Sequence, residues 1–265
     1  MKLRSARPTD GARWMFSGLQ MLRQQPLGHL AAASLMTFSM GLLLTLPWIG
    51  ALLALVVLPA LTVGWVASST AVAAGQRLTP LMLLAPFRST RRGVLLRLGV
   101  AYAVCGLAAF WLADLADPDF DTHWQAMMSS SADTPADLTR AAETMAAVQR
   151  GAVIRALAFL PVVLLFWHAP VIAWRTEAGV AKALFSSGLA TLRNIGAFGL
   201  FGLSWLLADV VCSTLVATLL GLLGLGSAAL VLIMPLGLMF LAAFYASLRA
   251  TVLGCIEFDD PPLQA

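Results

Sequence analysis

Six apolar runs, each long enough to cross a lipid bilayer, constrain this chain more than any other feature. They fall near residues 27–48, 51–74, 94–113, 152–174, 195–220 and 222–248. A spanning helix needs about 20 apolar residues, and only a helix or a closed barrel satisfies its own backbone in hydrocarbon. The runs predict an all-α polytopic membrane helix bundle with six transmembrane helices, a single integral membrane domain over residues 1–265. Composition points the same way, with 60% hydrophobic and 11% charged residues, where soluble domains carry about 45–50% and about 25%. A water-soluble enzyme and a disordered chain are both excluded. Pro47–Trp48–Ile49–Gly50 and the stretch around Gly221, Gly224 and Gly226 hold helix breakers and no charge, which predicts two tight hairpin turns.

The basic residues fix an expected orientation. Residues 1–27, 75–97, 174–193 and the last segment together hold fourteen of the Lys and Arg residues. The opposite side holds Arg140, Arg150 and Arg155. With six spans both termini share a face, and this asymmetry places that face in the cytoplasm. The same asymmetry accounts for the net charge of +4 without nucleic acid as a partner. Residues 1–26 are then a cytoplasmic segment with an interfacial helix, and 249–265 a cytoplasmic tail. Residues 114–151 form an acidic outer, periplasmic loop containing Asp114, Asp117, Asp119, Asp121, Asp133, Asp137 and Glu143. Within it, Thr134 as N-cap and Pro135 at the first helical position predict a short outer helix over 135–150 lying on the bundle. Leu138, Ala142, Met145 and Val148 would be its apolar stripe. The charged start could be mistaken for a secretory signal, but its length and the second apolar run behind it favour an uncleaved first span.

An internal repeat is visible. Ser17–Gly18–Leu19–Gln20–Met21–Leu22–Arg23 and Ser187–Gly188–Leu189–Ala190–Thr191–Leu192–Arg193 share five of seven residues. Both precede an inbound span, and both read as amphipathic interfacial helices. One groups Trp14, Met15, Gly18, Leu19 and Leu22; the other groups Val180, Leu184, Phe185, Gly188, Leu189 and Leu192. A weaker third copy runs from Thr79–Pro80 to Arg91–Arg92. The chain thus reads as helical hairpin units, each with a proline in its outbound span: Pro59, Pro161 and Pro235. Chance likeness between apolar segments is the competing reading.

Several segments carry a resemblance. Leu58–Pro59–Ala60–Leu61–Thr62–Val63–Gly64, Leu84–Ala85–Pro86–Phe87–Arg88 and Phe166–Trp167–His168–Ala169–Pro170 are three. Lys182–Ala183–Leu184–Phe185–Ser186, Arg193–Asn194 and Phe244–Tyr245–Ala246–Ser247 follow. In their order the chain resembles an uncharacterised family of bacterial inner-membrane proteins, found mainly in beta-proteobacteria. It is also distantly similar to the membrane domain attached to some glycerophosphodiester phosphodiesterases. The closer resemblance implies six spans and an inner-membrane location, and no known activity.

Few residues offer chemistry. Asp209 lies well inside the fifth run, where a carboxylate normally faces the bundle interior or a cavity. Arg155 enters the fourth run from the same side and is a candidate partner. His168, beside Pro170, is a candidate proton carrier or a donor at a local helix break. These three form the candidate intramembrane polar site. The bland reading is a structural ion pair, or a protonated Asp bonded to a hydroxyl, and a structural or interfacial histidine. Arg88, Arg91, Arg92, Arg23 and Arg193 are candidate contacts for anionic lipid head groups. His29 reads as interfacial, and Trp14, Trp48, Trp65, Trp124 and Trp174 as an aromatic belt. Cys105, Cys212 and Cys255 show no pairing pattern. No metal-ligand spacing, phosphate loop, dinucleotide fingerprint or nucleophile elbow is present, so no cofactor and no catalytic residue is expected. Two functions stay open. One is a non-catalytic scaffold, envelope or lipid-interacting protein. The other is a small secondary transporter or permease, coupled to protons through Asp209. A protein partner or homo-oligomer is compatible with both.

Overall fold

A computed structural model describes residues 1–129, 135–225 and 229–259. Six of its helices are long and apolar enough to cross a membrane. The chain opens with a two-residue strand β1 (Lys2–Leu3) and helix α1 (Asp10–Gln24). The first hairpin is α2 (Pro26–Leu44) and α3 (Gly50–Ala73). A 3-10 turn (Pro80–Leu84) and the single-turn α4 (Ala85–Arg88) lead to α5 (Arg92–Ala116). Then come α6 (Phe120–Ser129), α7 (Pro135–Phe166), α8 (Ala169–Arg175), α9 (Val180–Arg193), α10 (Ile195–Leu222) and α11 (Ala229–Cys255). Strand β2 (Ile256–Glu257) closes the order. It pairs antiparallel with β1, Leu3 opposite Ile256, and so ties the two ends of the chain.

The turns form where the breakers stand. Trp48 takes a left-handed backbone (φ +67°) and Gly224 does the same at the other hairpin (φ +67°). Gly226 lies outside the described residues. Close helix crossings need glycine. A Cβ on Gly64 would sit 2.3 Å from the Leu83 carbonyl oxygen, and one on Gly99 would sit 1.9 Å from that of Val56. In lipid there is little hydrophobic drive between helices, so such small-residue contacts supply the packing.

The structure corrects several expectations. The outer segment is no separate helix lying on the bundle. Pro135 opens a single 32-residue helix, α7, because nothing between Arg150 and Ala152 breaks the hydrogen-bond ladder. At 1.5 Å per residue α7 is about 48 Å long, well beyond a hydrocarbon core of about 30 Å. Of the expected stripe Val148 is buried, whereas Ala142 and Met145 are exposed. Asp133, Thr134 and the side chain of Leu138 lie outside the described residues. A further helix, α6, occupies the first part of the acidic loop. The fourth run breaks at Trp167–His168, before Pro170, and continues as α8. The third repeat copy is a 3-10 turn and one helical turn, interrupted by Pro80 and Pro86. The last helix continues to Cys255, so a tail starting at 249 begins inside a helix.

The core is aromatic and lies where α1, α3, α10 and α11 meet α7 and α8. Trp167 contacts Phe198 (5.3 Å between ring centres), Phe201 (5.9 Å) and Phe244 (6.2 Å). Phe244 meets Tyr245, which stacks on Trp65 at 5.5 Å. Trp14 and Trp65 therefore do not form a belt: both are buried, and Trp65 Nε1 donates to Met36 Sδ at 3.1 Å. His29 is likewise fully buried, stacked on Trp65. Trp48, 99% exposed, fits the belt.

Candidate functional site

The three residues of the expected polar site are not brought together. Arg155 on α7 turns to α5 and the start of α6. Its Nη2 donates to Asp114 Oδ1 at 2.5 Å, and Nη1 stands 3.6 Å from Asp117 Oδ2. The guanidinium lies 3.7 Å above the centre of the Phe120 ring. Gly151 makes the approach possible, since a Cβ there would come within 2.3 Å of Asp117 Oδ2 and Phe120. Arg155 is thus a structural clasp at the acidic end of the bundle. Its sequence-level partner Asp209 is exposed on α10 between exposed Leu206, Leu207, Val210 and Val211. Asp209 makes no ion pair or hydrogen bond among the described residues. Helix α10 packs chiefly on α1, and this leaves its outer half without cover.

His168 is fully buried at the break between α7 and α8. Its backbone N–H donates to Ser187 Oγ at 2.9 Å, which satisfies a donor the break frees. The ring packs against Phe198 at 5.7 Å, and neither ring nitrogen has a hydrogen-bond partner. It is a packed histidine at a helix junction. Next to it lies a cavity of about 150 Å³ lined by Thr62, Tyr102, Phe166, Trp167, Phe244 and Tyr245. Neither phenol makes a hydrogen bond among the described residues. Sequence reading missed this cavity because its lining comes from five separate helices, α3, α5, α7, α8 and α11, each read as plain apolar sequence.

The most organised polar structure is at the opposite, basic end. There the connections between spans are laced to one another. Gln25 Nε2 donates to Gln76 O (2.7 Å), and its Oε1 accepts from Leu78 N (2.8 Å). Asn194 Oδ1 accepts from Ala6 N (2.6 Å), while Nδ2 donates to Arg4 O (3.1 Å) and Ala190 O (2.8 Å). Arg4 N donates to Cys255 O at 2.8 Å. Each amide side chain replaces several lost backbone partners at once, and buried backbone polar groups require such partners. The N-terminal ammonium pairs with Asp259 and holds that carboxyl below its ordinary range through their hydrogen bond.

Arg91 belongs to this lacing and is no free lipid contact. It donates to Ala173 O (3.1 Å), Ala178 O (2.7 Å) and Glu177 Oε2 (3.1 Å), and so clamps the α8–α9 turn to the start of α5. Arg23, Arg88, Arg92 and Arg193 are exposed and make no side-chain hydrogen bond or ion pair among the described residues. Helix α9, which ends in Arg193, turns Phe185, Leu189 and Leu192 outward, at 72%, 47% and 66% exposure. Its buried side is Ala183, Ser187, Ala190 and Thr191.

No family model matches the chain, and no solved structure matches it. A probable inner membrane protein of Burkholderia thailandensis is 32% identical over 266 residues, 98% of this chain and 96% of that protein. The chain belongs to this inner-membrane family. The family therefore supplies the setting for the site: a multi-pass helical protein in a lipid bilayer. Among the described residues no group of three or more His, Cys, Asp or Glu is placed to hold a metal ion.

Proposed function

We propose that the protein is a non-catalytic membrane module that gathers anionic lipid at its basic end, with both termini in the cytoplasm. One observation carries the reading: four arginines, Arg23, Arg88, Arg92 and Arg193, stand exposed and unpaired around a rigidly laced end whose helix α9 presents an apolar face outward. An apolar face rimmed by basic residues suits the lipid interface, and each cation near an anionic surface adds about 1 kcal/mol. The lacing argues for a fixed shape rather than alternating access.

The test is native mass spectrometry of protein extracted from phosphatidylcholine nanodiscs containing phosphatidylglycerol. The expected result is enrichment of phosphatidylglycerol on the wild type, lost when the four arginines become Gln. Equal enrichment on both proteins overturns the reading. A second reading, a small permease, draws on the cavity beside Tyr102 and Tyr245. Its proton-coupled form through Asp209 has less support, because Asp209 lies on the outer face of α10. A substrate flux lost in Asp209→Asn at normal protein level would restore it.

A further inference from the structure

A second, more enclosed cation site lies deeper at the same end. Arg249 is part of α11, six residues before its last residue Cys255, hence about 9 Å below the helix end. It belongs to a segment apolar enough to span the membrane. Its Nε is buried without a hydrogen-bond partner, and the guanidinium makes no ion pair among the described residues. Among the described residues no carboxylate faces it. Of the described carboxylates at this end, Asp10 faces Arg13, Glu177 faces Arg91, Glu257 faces Arg4, and Asp259 faces the N-terminal ammonium. An ionisable group at such depth is costly to leave alone and marks a functional site by default.

Arg249 lines a slot of about 130 Å³ between α3, α8 and α11. That is close to the roughly 150 Å³ of an apolar cavity that holds a benzene molecule. Arg175, at the end of α8, lines the same slot, its guanidinium 4.6 Å from the centre of the Phe258 ring. The Thr70 hydroxyl lies on one wall but donates to Val66 O at 2.7 Å. Val66, Ala67 and Val252 make the rest of the lining apolar. A buried, unpartnered guanidinium over an apolar floor is suited to a phosphate, since its fork matches the phosphate oxygens.

We propose that this slot binds a phosphate group through Arg249, with the apolar floor taking the first part of an attached acyl chain. The inference deepens the lipid reading above and rests on it. It adds a single defined site to a diffuse basic surface.

The experiment uses the full chain in phosphatidylcholine nanodiscs with a minor fraction of phosphatidylglycerol, and inorganic phosphate as the separate probe. Arg249→Gln should weaken retention of one phosphatidylglycerol by about tenfold or more, the scale of a lost charge-assisted contact. Arg249→Lys keeps the charge and loses the fork, and should weaken it less. Ala67→Leu fills the floor without touching either guanidinium. If Ala67→Leu also loses the lipid, the phosphate is a lipid head group. If Ala67→Leu has no effect and inorganic phosphate raises the thermal stability of the wild type but not of Arg249→Gln, the ligand is a free phosphate. Should Arg249→Gln fail to fold, protection of the wild type by phosphatidylglycerol or inorganic phosphate, with Ala67→Leu as comparison, decides. Unchanged lipid retention in Arg249→Gln, with enrichment still abolished by the four surface substitutions, overturns the slot and leaves the surface reading standing. Enrichment unaffected by either set overturns both.

Discussion

Helices α1 and α9 carry the same five residues, Ser, Gly, Leu, Leu and Arg, in the same order and spacing, yet use them in opposite ways. In α1 the apolar side faces inward. Trp14, Met15, Gly18 and Leu22 are buried against α10 and α11. In α9 the inward side is the small and hydroxyl-bearing one, and Leu189 and Leu192 face out. Ser187 Oγ accepts from His168 N and Thr191 Oγ1 donates to Leu164 O at 3.0 Å, so α9 is held by hydrogen bonds to the broken fourth span. The equivalent Ser17 makes no side-chain hydrogen bond among the described residues. An amphipathic pattern therefore specifies that a helix has two faces, not which of them meets the protein. At a membrane interface both choices are open, because lipid accepts an apolar face as readily as a core does.

Gly18 and Gly188 offer the largest expected contrast. A Cβ on Gly18 would lie 2.3 Å from the Ala243 carbonyl oxygen and 2.6 Å from Ser247 Cβ. Backbone cannot yield cheaply, so Gly18→Val should cost more than about 3 kcal/mol, at or beyond the usual overpacking range. At Gly188 the one near atom is Leu165 Cδ1 at 3.1 Å, the end of a flexible side chain. Gly188→Val should cost about 1 kcal/mol or less, mainly through the stiffness of a branched residue. Thermal unfolding of the two variants in the same detergent measures both. Equal losses would remove the inward–outward distinction.

Leu22 and Leu192 follow. Leu22 is 7% exposed and Leu192 66%. Truncating a packed leucine costs about 2 kcal/mol or more through lost contacts and the cavity left behind, whereas Leu192→Ala should fall within about 0.5 kcal/mol. A comparable loss at Leu192 would mean that its face is covered, by a second copy or a partner chain. The hydroxyls come third. Ser187→Ala leaves the buried His168 N–H without its acceptor and should cost about 1–3 kcal/mol. Ser17→Ala should be close to neutral. Amide hydrogen exchange at His168, faster in Ser187→Ala than in the wild type, would tie the loss to that bond.

Much of the fold was legible because span length is set by the bilayer and needs no tertiary information. The six spans and the two hairpin turns with their breakers fall where the apolar runs and the Gly and Pro residues place them. Features that depend on contacts between distant segments were not legible. Arg155 pairs with Asp114 and Asp117 rather than Asp209, because α6 folds back beside α7. Arg91 and Asn194 looked like a topology signal and a span boundary, yet both are crosslinks whose long-range partners lie 82–190 residues away. Arg249 was counted only as one more positive charge. Its isolation depends on the described carboxylates at that end being engaged elsewhere, and this shows only when those pairs are in place. The internal duplication stays a reading of the sequence, and the opposite orientations of α1 and α9 show how far two matching segments diverge in use.

The smallest expected effect separates structure from function at the shared arginine. Arg23 and Arg193 end their helices, are exposed, and make no side-chain hydrogen bond or ion pair among the described residues. Each sits in a last turn, where a cation meets the helix dipole favourably by about 0.3–1 kcal/mol at most. Arg23→Gln and Arg193→Gln should therefore barely alter unfolding, and they should do so equally. Lipid retention should tell them apart. Arg193 adjoins the outward Leu189 and Leu192, whereas Arg23 caps a helix whose apolar side is already spent on α10 and α11. Arg193→Gln should thus release more phosphatidylglycerol than Arg23→Gln, with the gap closing at high salt as surface charge is screened. Equal release would assign lipid contact to charge alone and leave the outward face of α9 without a part in it.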